Sequence, residues 1–356
     1  LVLEYIYEYG LFLAQAVTLV AAILLLVSGI VAVGQRQKAE QHEGHIEIRD
    51  INDKYRQIGH SIQQLVVEPD VLKAELKAEK KAEKQKNKAV RKKRKKSTAV
   101  AEEKTRNRLY VLDFDGDLKA SATDNLREEI SAVLLQVREG DEFLVKVESP
   151  GGLVHGYGLA ASQLQRIRDA KVPLTIAVDK VAASGGYMMA CVANKIIAAP
   201  FAVLGSIGVL AQLPNFNRLL KKHDIDFELF TAGEYKRTLT MFGENTDKGR
   251  EKFAEELEET HELFKDFVGT NRPGLDIASV ATGEIWYGQK ALEVGLVDDL
   301  QTSDAFVQGR LQDWDVFEVK FVHKKGWQEK LGFAAESALE RGFLKIWQQG
   351  QDRSNY

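Results

Sequence analysis

Two patterns of apolar residues divide the chain. The first is a block: Leu11 to Val33 carries no charge, and only Gln15, Thr18 and Ser28 add polar side chains to it. As a helix, about 23 residues at about 1.5 Å rise each reach about 35 Å, enough for a hydrocarbon core of about 30 Å. The flank before the block holds Glu4 and Glu8 but no Lys or Arg, and the run exceeds a signal-peptide core. Residues 1–35 are therefore expected to form an uncleaved transmembrane anchor.

The second pattern begins at Arg108, where short apolar runs alternate with amphipathic stretches. Leu109 to Phe114, Phe143 to Val147, Pro173 to Val178 and Lys195 to Ala199 read as strands. Asp124 to Val137 and Tyr157 to Arg168 read as helices between them, and Ala182-Ala183-Ser184-Gly185-Gly186 opens another. Strands alternating with helices over such short connections predict βαβ units and a largely parallel sheet, an α/β fold. Val181 to Ala211 is apolar enough to suggest a second membrane span. Asn194, Lys195 and Pro200 interrupt it, so it is read as domain core. Asp247 to Val268 predicts a long helix with Phe253, Leu257, His261, Phe264 and Val268 at spacings of three and four.

Charge separates the remaining segments. Residues 36–106 are expected to form a stalk, because Lys73 to Lys96 is almost wholly Lys, Arg, Glu and Ala and offers no apolar face. Such a segment should be solvated, helical or disordered. No aromatic residue is interleaved there for stacking on bases, so no specific nucleic-acid partner is expected. A single α/β domain then occupies 107–322. Residues 323–356 are expected to form an amphipathic helix, with Trp327, Leu331, Ala335, Leu339, Phe343 and Trp347 four apart, packing on its own domain. The formal net charge of −3 gives no global basic field. The single cysteine, Cys191, excludes an intrachain disulfide and any multi-cysteine metal site; no metal or cofactor is expected.

The candidate chemistry lies at two glycine turns. In Ala183-Ser184-Gly185-Gly186-Tyr187 a serine stands between a strand and a helix, with its hydroxyl at the positive end of the helix dipole. The following glycines let backbone approach a substrate carbonyl, and the N–H of Gly185 is a candidate oxyanion donor. Ser149-Pro150-Gly151-Gly152 ends the preceding strand, and parallel strands deliver their carboxyl ends to one sheet edge. Pro150 has no N–H to offer, so the N–H of Gly151 is the second candidate donor. For a general base, His155, Lys180 and Lys236 are all within the motif-bearing region, and spacing alone does not choose among them.

These residues belong to a larger pattern. Glu148-Ser149-Pro150-Gly151-Gly152, Ala182-Ala183-Ser184-Gly185-Gly186-Tyr187, Gly205-Ser206-Ile207-Gly208, Gly233-Glu234-Tyr235-Lys236, and Trp286-Tyr287-Gly288 with Ala291 and Gly295-Leu296-Val297-Asp298 follow in order. In these five motifs the stretch from Leu109 to Leu300 resembles the signal peptide peptidase A family of serine–lysine peptidases, and the layout of the whole chain is similar to its inner-membrane members. The resemblance implies Ser184 as nucleophile, Lys236 as general base, and Gly151 and Gly185 in the oxyanion hole. It implies a ClpP/crotonase-like spiral of ββα units, a ring-like homo-oligomer with sites built across subunit boundaries, and extended or unfolded peptide substrates, signal-peptide remnants among them. It leaves the hydroxyl that orients the lysine unassigned, with Ser121 and Asp115 as candidates. Two other readings compete: a crotonase-type acyl-CoA enzyme, and a non-catalytic membrane scaffold.

The resemblance also implies a bacterial inner-membrane protein held in the bilayer through residues 11–33, with a periplasmic catalytic domain. Arg36, Lys38 and Arg49 after the span argue the other way, for a cytoplasmic domain. A lysine of ordinary pKa near 10.4 is neutral about once in 2,500 molecules at pH 7. A basic Lys236 must therefore be largely buried in the active assembly, which lowers its pKa.

Overall fold

The computed structural model describes residues 44–68 and 106–324, together with 70, 71, 77, 81, 84, 85 and 88 between them. The expected anchor at 11–33, the Lys-rich stretch and the C-terminal amphipathic helix lie outside the described residues. No helix among the described residues is long and apolar enough to cross a membrane. Residues 48–320 make one compact unit; residues 1–47 and 321–356 make a second, described only at 44–47 and 321–324.

The buried apolar runs become the strands of a seven-stranded sheet ordered β1-β10-β2-β3-β4-β6-β9. These are β1 (Gly44–Asp50), β2 (Arg108–Asp115), β3 (Glu142–Glu148), β4 (Leu174–Val178), β6 (Lys195–Ala198), β9 (Asp299–Leu300) and β10 (Asp315–His323). From β10 across to β9 every pair is parallel. Central strand β4 is buried along its whole length, as a strand covered on both faces must be. Helices α2 (Thr123–Leu134) and α3 (Val154–Asp169) make the crossovers on either side of β3 and pack against each other. A smaller sheet, β5-β7-β8, consists of β5 (Val181–Ala183), β7 (Val203–Gly205) and β8 (Ile285–Tyr287), with β5 parallel to β7 and β7 antiparallel to β8. Strands thus come in consecutive pairs, β4 with β5 and β6 with β7, each pair followed by helix. Most of the region from Val181 to Ile207 is buried in the domain, whereas Phe201 and Leu210 are exposed.

Short helix α4 (Gly185–Ala190) is wholly buried, whereas long helix α6 (Asp247–Asn271) buries only Phe264 and Val268. Between them in sequence lie α5 (Asn217–Lys222) and much irregular chain, and α7 (Ile277–Val280), α8 (Gly288–Glu293) and α9 (Ser303–Arg310) complete the order after α6.

One boundary differs from expectation. Residues 44–66 are not solvated stalk but form β1 and helix α1 (Ile51–Val66). The helix lays Ile51 and Tyr55 on the core cluster that contains Val111, Leu144, Ile197 and Val316. Asn52 fastens it: its Nδ2 donates to the carbonyls of Leu311 (2.9 Å) and Trp314 (3.0 Å), and its Oδ1 accepts from the N–H of Val316 (2.7 Å). The physical reason is legible afterwards. Ile51 and Tyr55, four apart, share one helix face that the Lys-rich stretch lacks, while Ile58 and Ile62 further along remain exposed.

Candidate active site

Strand β5 delivers Ser184 to the edge of the small sheet, and α4 starts one residue later. Ser184 has φ 51° and ψ −117°, a left-handed conformation that an ordinary side chain adopts only at a cost of about 1–3 kcal/mol. A serine on a sharp strand-to-helix turn presents its hydroxyl away from the backbone, as a nucleophile must. The turn is held from both sides. The Ser184 N–H donates to the Gly205 carbonyl (2.8 Å), and the Ala183 N–H to that of Ser149 (3.0 Å). Ser149 in turn donates its N–H to Val181 (2.8 Å), so the two glycine turns are laced together.

The glycines are needed for close approach. At Gly151, with φ +92°, a side-chain carbon would lie 2.8 Å from the Gly185 nitrogen and from Ser184 Cβ. At Gly185 it would fall 2.3 Å from the ring of Tyr157, which is fully buried. Sequence reasoning assigns Gly151 and Gly185 as oxyanion donors, and both stand beside Ser184. Gly185 is the first residue of α4, so its N–H lies outside the helix's own ladder. The N–H of Gly151 donates to Ser149 Oγ (3.0 Å). That hydroxyl meets Tyr157 Oη at 2.5 Å, and Tyr157 donates to the Asp117 carbonyl (2.7 Å). Burial pushes the Tyr157 phenol above its ordinary range, which keeps it a neutral donor. This buried Ser149–Tyr157 network was invisible in the sequence.

Ser184 opens onto a cavity of about 840 Å³. Leu118, Leu153, Val154 and Met188 line it, as do Leu263 and Phe267 of α6. Ser206 and Gly208, from the Gly205-Ser206-Ile207-Gly208 motif, line it as well. Among the described residues, none that lines the cavity carries a titratable side chain.

The three candidate bases stand elsewhere. His155 is exposed on the first turn of α3. Lys180 is exposed and paired with Glu148 (2.8 Å), whose hydrogen bond and charge raise the Lys180 pKa, the wrong direction for a base. Lys236 is also exposed, in the irregular segment between β7 and α6, and does not line the cavity. Its neighbours are tied to α6: Glu234 pairs with Lys248 at 2.5 Å, and the Lys248 and Lys252 ammoniums lie 5.8 and 5.7 Å from the Tyr235 ring centre. The structure thus brings Ser184, Gly151 and Gly185 together and leaves Lys236 apart from them. Of the candidates to orient the lysine, Ser121 is engaged with Asp117, its hydroxyl donating at 2.8 Å. Cys191 is fully buried, and burial pushes its thiol far up, as expected of a packing residue.

Relatives make the family plain. The Haemophilus influenzae protein described as "Probable protease SohB" is 50% identical over 330 residues, covering 93% of this chain and 93% of its own. A second, from Buchnera aphidicola subsp. Schlechtendalia chinensis, is 48% identical over 315 residues, 86% of this chain and all of that one. The Peptidase family S49 N-terminal model matches residues 4–164, and the Peptidase family S49 model matches 166–316. The chain belongs to peptidase family S49. Among solved structures, the 1510-N membrane-bound stomatin-specific protease matches 58% of this chain and 85% of its own, at 14% identity and a TM-score of 0.40.

As an S49 member the chain is a serine-type peptidase acting on peptides. The S49 chain's α6 wall is what sequence reasoning missed. The spacing of Phe253, Leu257, His261, Phe264 and Val268 selects the face toward the core. Phe264 of that face reaches the cavity, but Thr260, Leu263 and Phe267, which line it too, lie one strip to the side.

Proposed function

We propose that the protein is a membrane-anchored serine endopeptidase that cleaves extended or unfolded peptides by a Ser184–Lys236 dyad. The observation that carries the reading is the left-handed Ser184 lining an apolar cavity with no titratable side chain of its own. Such a site has a nucleophile and lacks a base. Lys236, borne on the segment between β7 and α6, supplies it when that segment packs against a neighbouring copy. The segment suits packing: Leu210 and Phe230 are 79% and 88% exposed, and Leu219, Ile225 and Phe242 are exposed as well. So much exposed apolar surface on one stretch marks an interaction face. A ring-like homo-oligomer with sites across subunit boundaries follows.

In the proposed reaction, neutral Lys236 accepts the Ser184 proton while Oγ attacks the peptide carbonyl carbon. The N–H groups of Gly185 and Gly151 receive the developing oxyanion, Gly151 by turning or sharing its N–H from Ser149 Oγ. The Lys236 ammonium then protonates the leaving amine. Water hydrolyses the acyl-enzyme with Lys236 again as base.

The paired-strand order of β4–β5 and β6–β7 supports a ClpP/crotonase-like spiral for residues 107–322, with 44–66 added to its body. The anchor at 11–33, the charged stretch after it, the C-terminal helix and an inner-membrane location complete the proposal. It keeps the periplasmic placement of the catalytic domain, against which Arg36, Lys38 and Arg49 still argue.

The test is cleavage of denatured casein by the detergent-solubilised full chain. Ser184→Ala and Lys236→Ala should each lower kcat by about 10²–10⁴-fold or more while circular dichroism and melting stay as in the wild type. Near-normal turnover in Lys236→Ala would move the base elsewhere. An inert, folded wild type would favour the scaffold reading.

A further inference from the structure

Helix α3 contains two glycines with opposite reasons for being there. At Gly156 a side-chain carbon would lie 2.7 Å from the Lys119 carbonyl oxygen, so backbone excludes any larger residue. At Gly158 nothing lies within 4 Å of where that carbon would sit, and the backbone is helical. Glycine is among the poorest helix formers, and neither packing nor a turn requires it at 158. Its open side faces the cavity beside Ser184. One turn on, Ser162 also lines that cavity but folds its hydroxyl back onto the Gly158 carbonyl (2.8 Å), away from a ligand. Leu263, Phe264 and Phe267 of α6 line the same cavity.

We infer that Gly158 sets the size of the substrate side chain held beside the scissile bond, and that this side chain is bulky and apolar. The inference rests on the Ser184 peptidase reading and adds to it the residue that limits specificity. A side chain of leucine or phenylalanine size gains by leaving water for these walls. A lysine or aspartate in the same place would meet no charged partner among the lining residues, and its desolvation would be uncompensated. Any β-carbon added at 158 projects into the space the substrate needs, while the helix itself gains from losing a glycine.

The experiment uses the solubilised full chain and peptides that differ only in one residue flanking the cleaved bond, Ala, Leu, Phe or Lys. Wild type should cleave the Phe and Leu peptides with kcat/KM about 10–200-fold above Ala, with Lys lowest. In Gly158→Leu the Phe-to-Ala ratio should fall at least about tenfold. Gly158→Ala should lower the ratio several-fold while raising Tm by about 2–4 °C. Opposite signs for stability and for turnover of large substrates distinguish a narrowed groove from a damaged fold, and Gly158→Ala decides the matter if the leucine variant does not fold. If wild type cleaves but both variants keep its ratio, the inference is overturned and the peptidase reading stands. If wild type cleaves none of the peptides and a fluorophosphonate leaves Ser184 unlabelled, both fall.

Discussion

The two halves of the proposed dyad are built in opposite ways. Around Ser184 every element is buried and cross-tied: β5, α4 and the Ser149 turn are held by backbone hydrogen bonds and by the fully buried Tyr157 ring. Around Lys236 the chain is exposed and mostly irregular, tied down by surface pairs such as Glu234–Lys248. Surface ion pairs add little stability in water. The proposed nucleophile is thus pre-organised by the core, whereas the proposed base stands on a segment with exposed apolar residues that no described residue covers.

The sharpest test of that contrast mixes the two dead variants. Ser184→Ala retains a lysine and Lys236→Ala retains a serine. Co-expressed in equal amounts in a symmetric ring whose sites are shared, they should restore about one site in four. Activity against casein should rise from background to about a quarter of wild type. Activity that stays at background in a mixed ring would mean that each chain completes its own site.

A second prediction breaks the pre-organised half. Gly185→Ala sets a methyl 2.3 Å from the Tyr157 ring, whose hydroxyl is fixed between Ser149 and the Asp117 carbonyl. Overpacking of this kind costs about 1–3 kcal/mol, or several degrees in Tm for a domain of this size. Displacing a proposed oxyanion donor should lower kcat by about 10²–10³-fold at the same time. Calorimetry and casein turnover read the two effects separately.

The contrast also explains what the sequence disclosed. Strands β2, β3, β4 and β6 were legible because each is a buried apolar run bounded by turns. Strands β5, β7 and β8 have three residues each, too few to display a period, yet they carry Ser184 and its supporting loop. Helix α1 was hidden because its stripe stands beside a long charged stretch. Ser184, Gly151 and Gly185 were legible as motif residues from their glycine turns, but the turns end strands of two different sheets, joined by the Ser149–Ala182 bridge, and not of one sheet edge as expected. The cavity was not, since Leu263 and Phe267 lie about eighty residues from Ser184 and off the core-facing stripe. The exposure of Lys236 could not be read at all, because it depends on what covers the segment.

A smaller effect is expected at the foot of α6. Arg272 holds Asp298 with hydrogen bonds of 2.7 and 2.8 Å, and the Ile196 N–H donates to the same carboxylate at 2.7 Å. Burial alone would raise the Asp298 pKa, but these donors overturn it and the net shift is downward. A carboxyl whose folded pKa lies below its unfolded value near 3.9 stabilises fully above that value. The contribution disappears as pH falls through the folded pKa. Asp298→Asn should therefore lower Tm at pH 7, and the gap to wild type should close as the acid limb below pH 4 is entered. A gap independent of pH would assign the loss to packing instead.

The smallest predicted change links the two halves. His261 Nε2 lies 3.2 Å from the Ile207 carbonyl oxygen, which also accepts from the Gly283 N–H at 3.2 Å. Ile207 follows Ser206, itself left-handed at φ 50°, in the loop whose Gly205 carbonyl holds the Ser184 N–H. His261 thus connects α6, which bears one cavity wall and the partners of Glu234, to the loop that supports the nucleophile. Because the Ile207 carbonyl oxygen can only accept, His261 Nε2 is the donor in this contact. His261→Ala leaves the Gly283 bond in place and should raise KM for the Phe peptide a few-fold, with a smaller change in kcat. His261→Gln, which keeps a donor amide, should recover most of the loss. An equal fall in kcat for both variants would instead put His261 in the chemistry rather than in the scaffold that positions it.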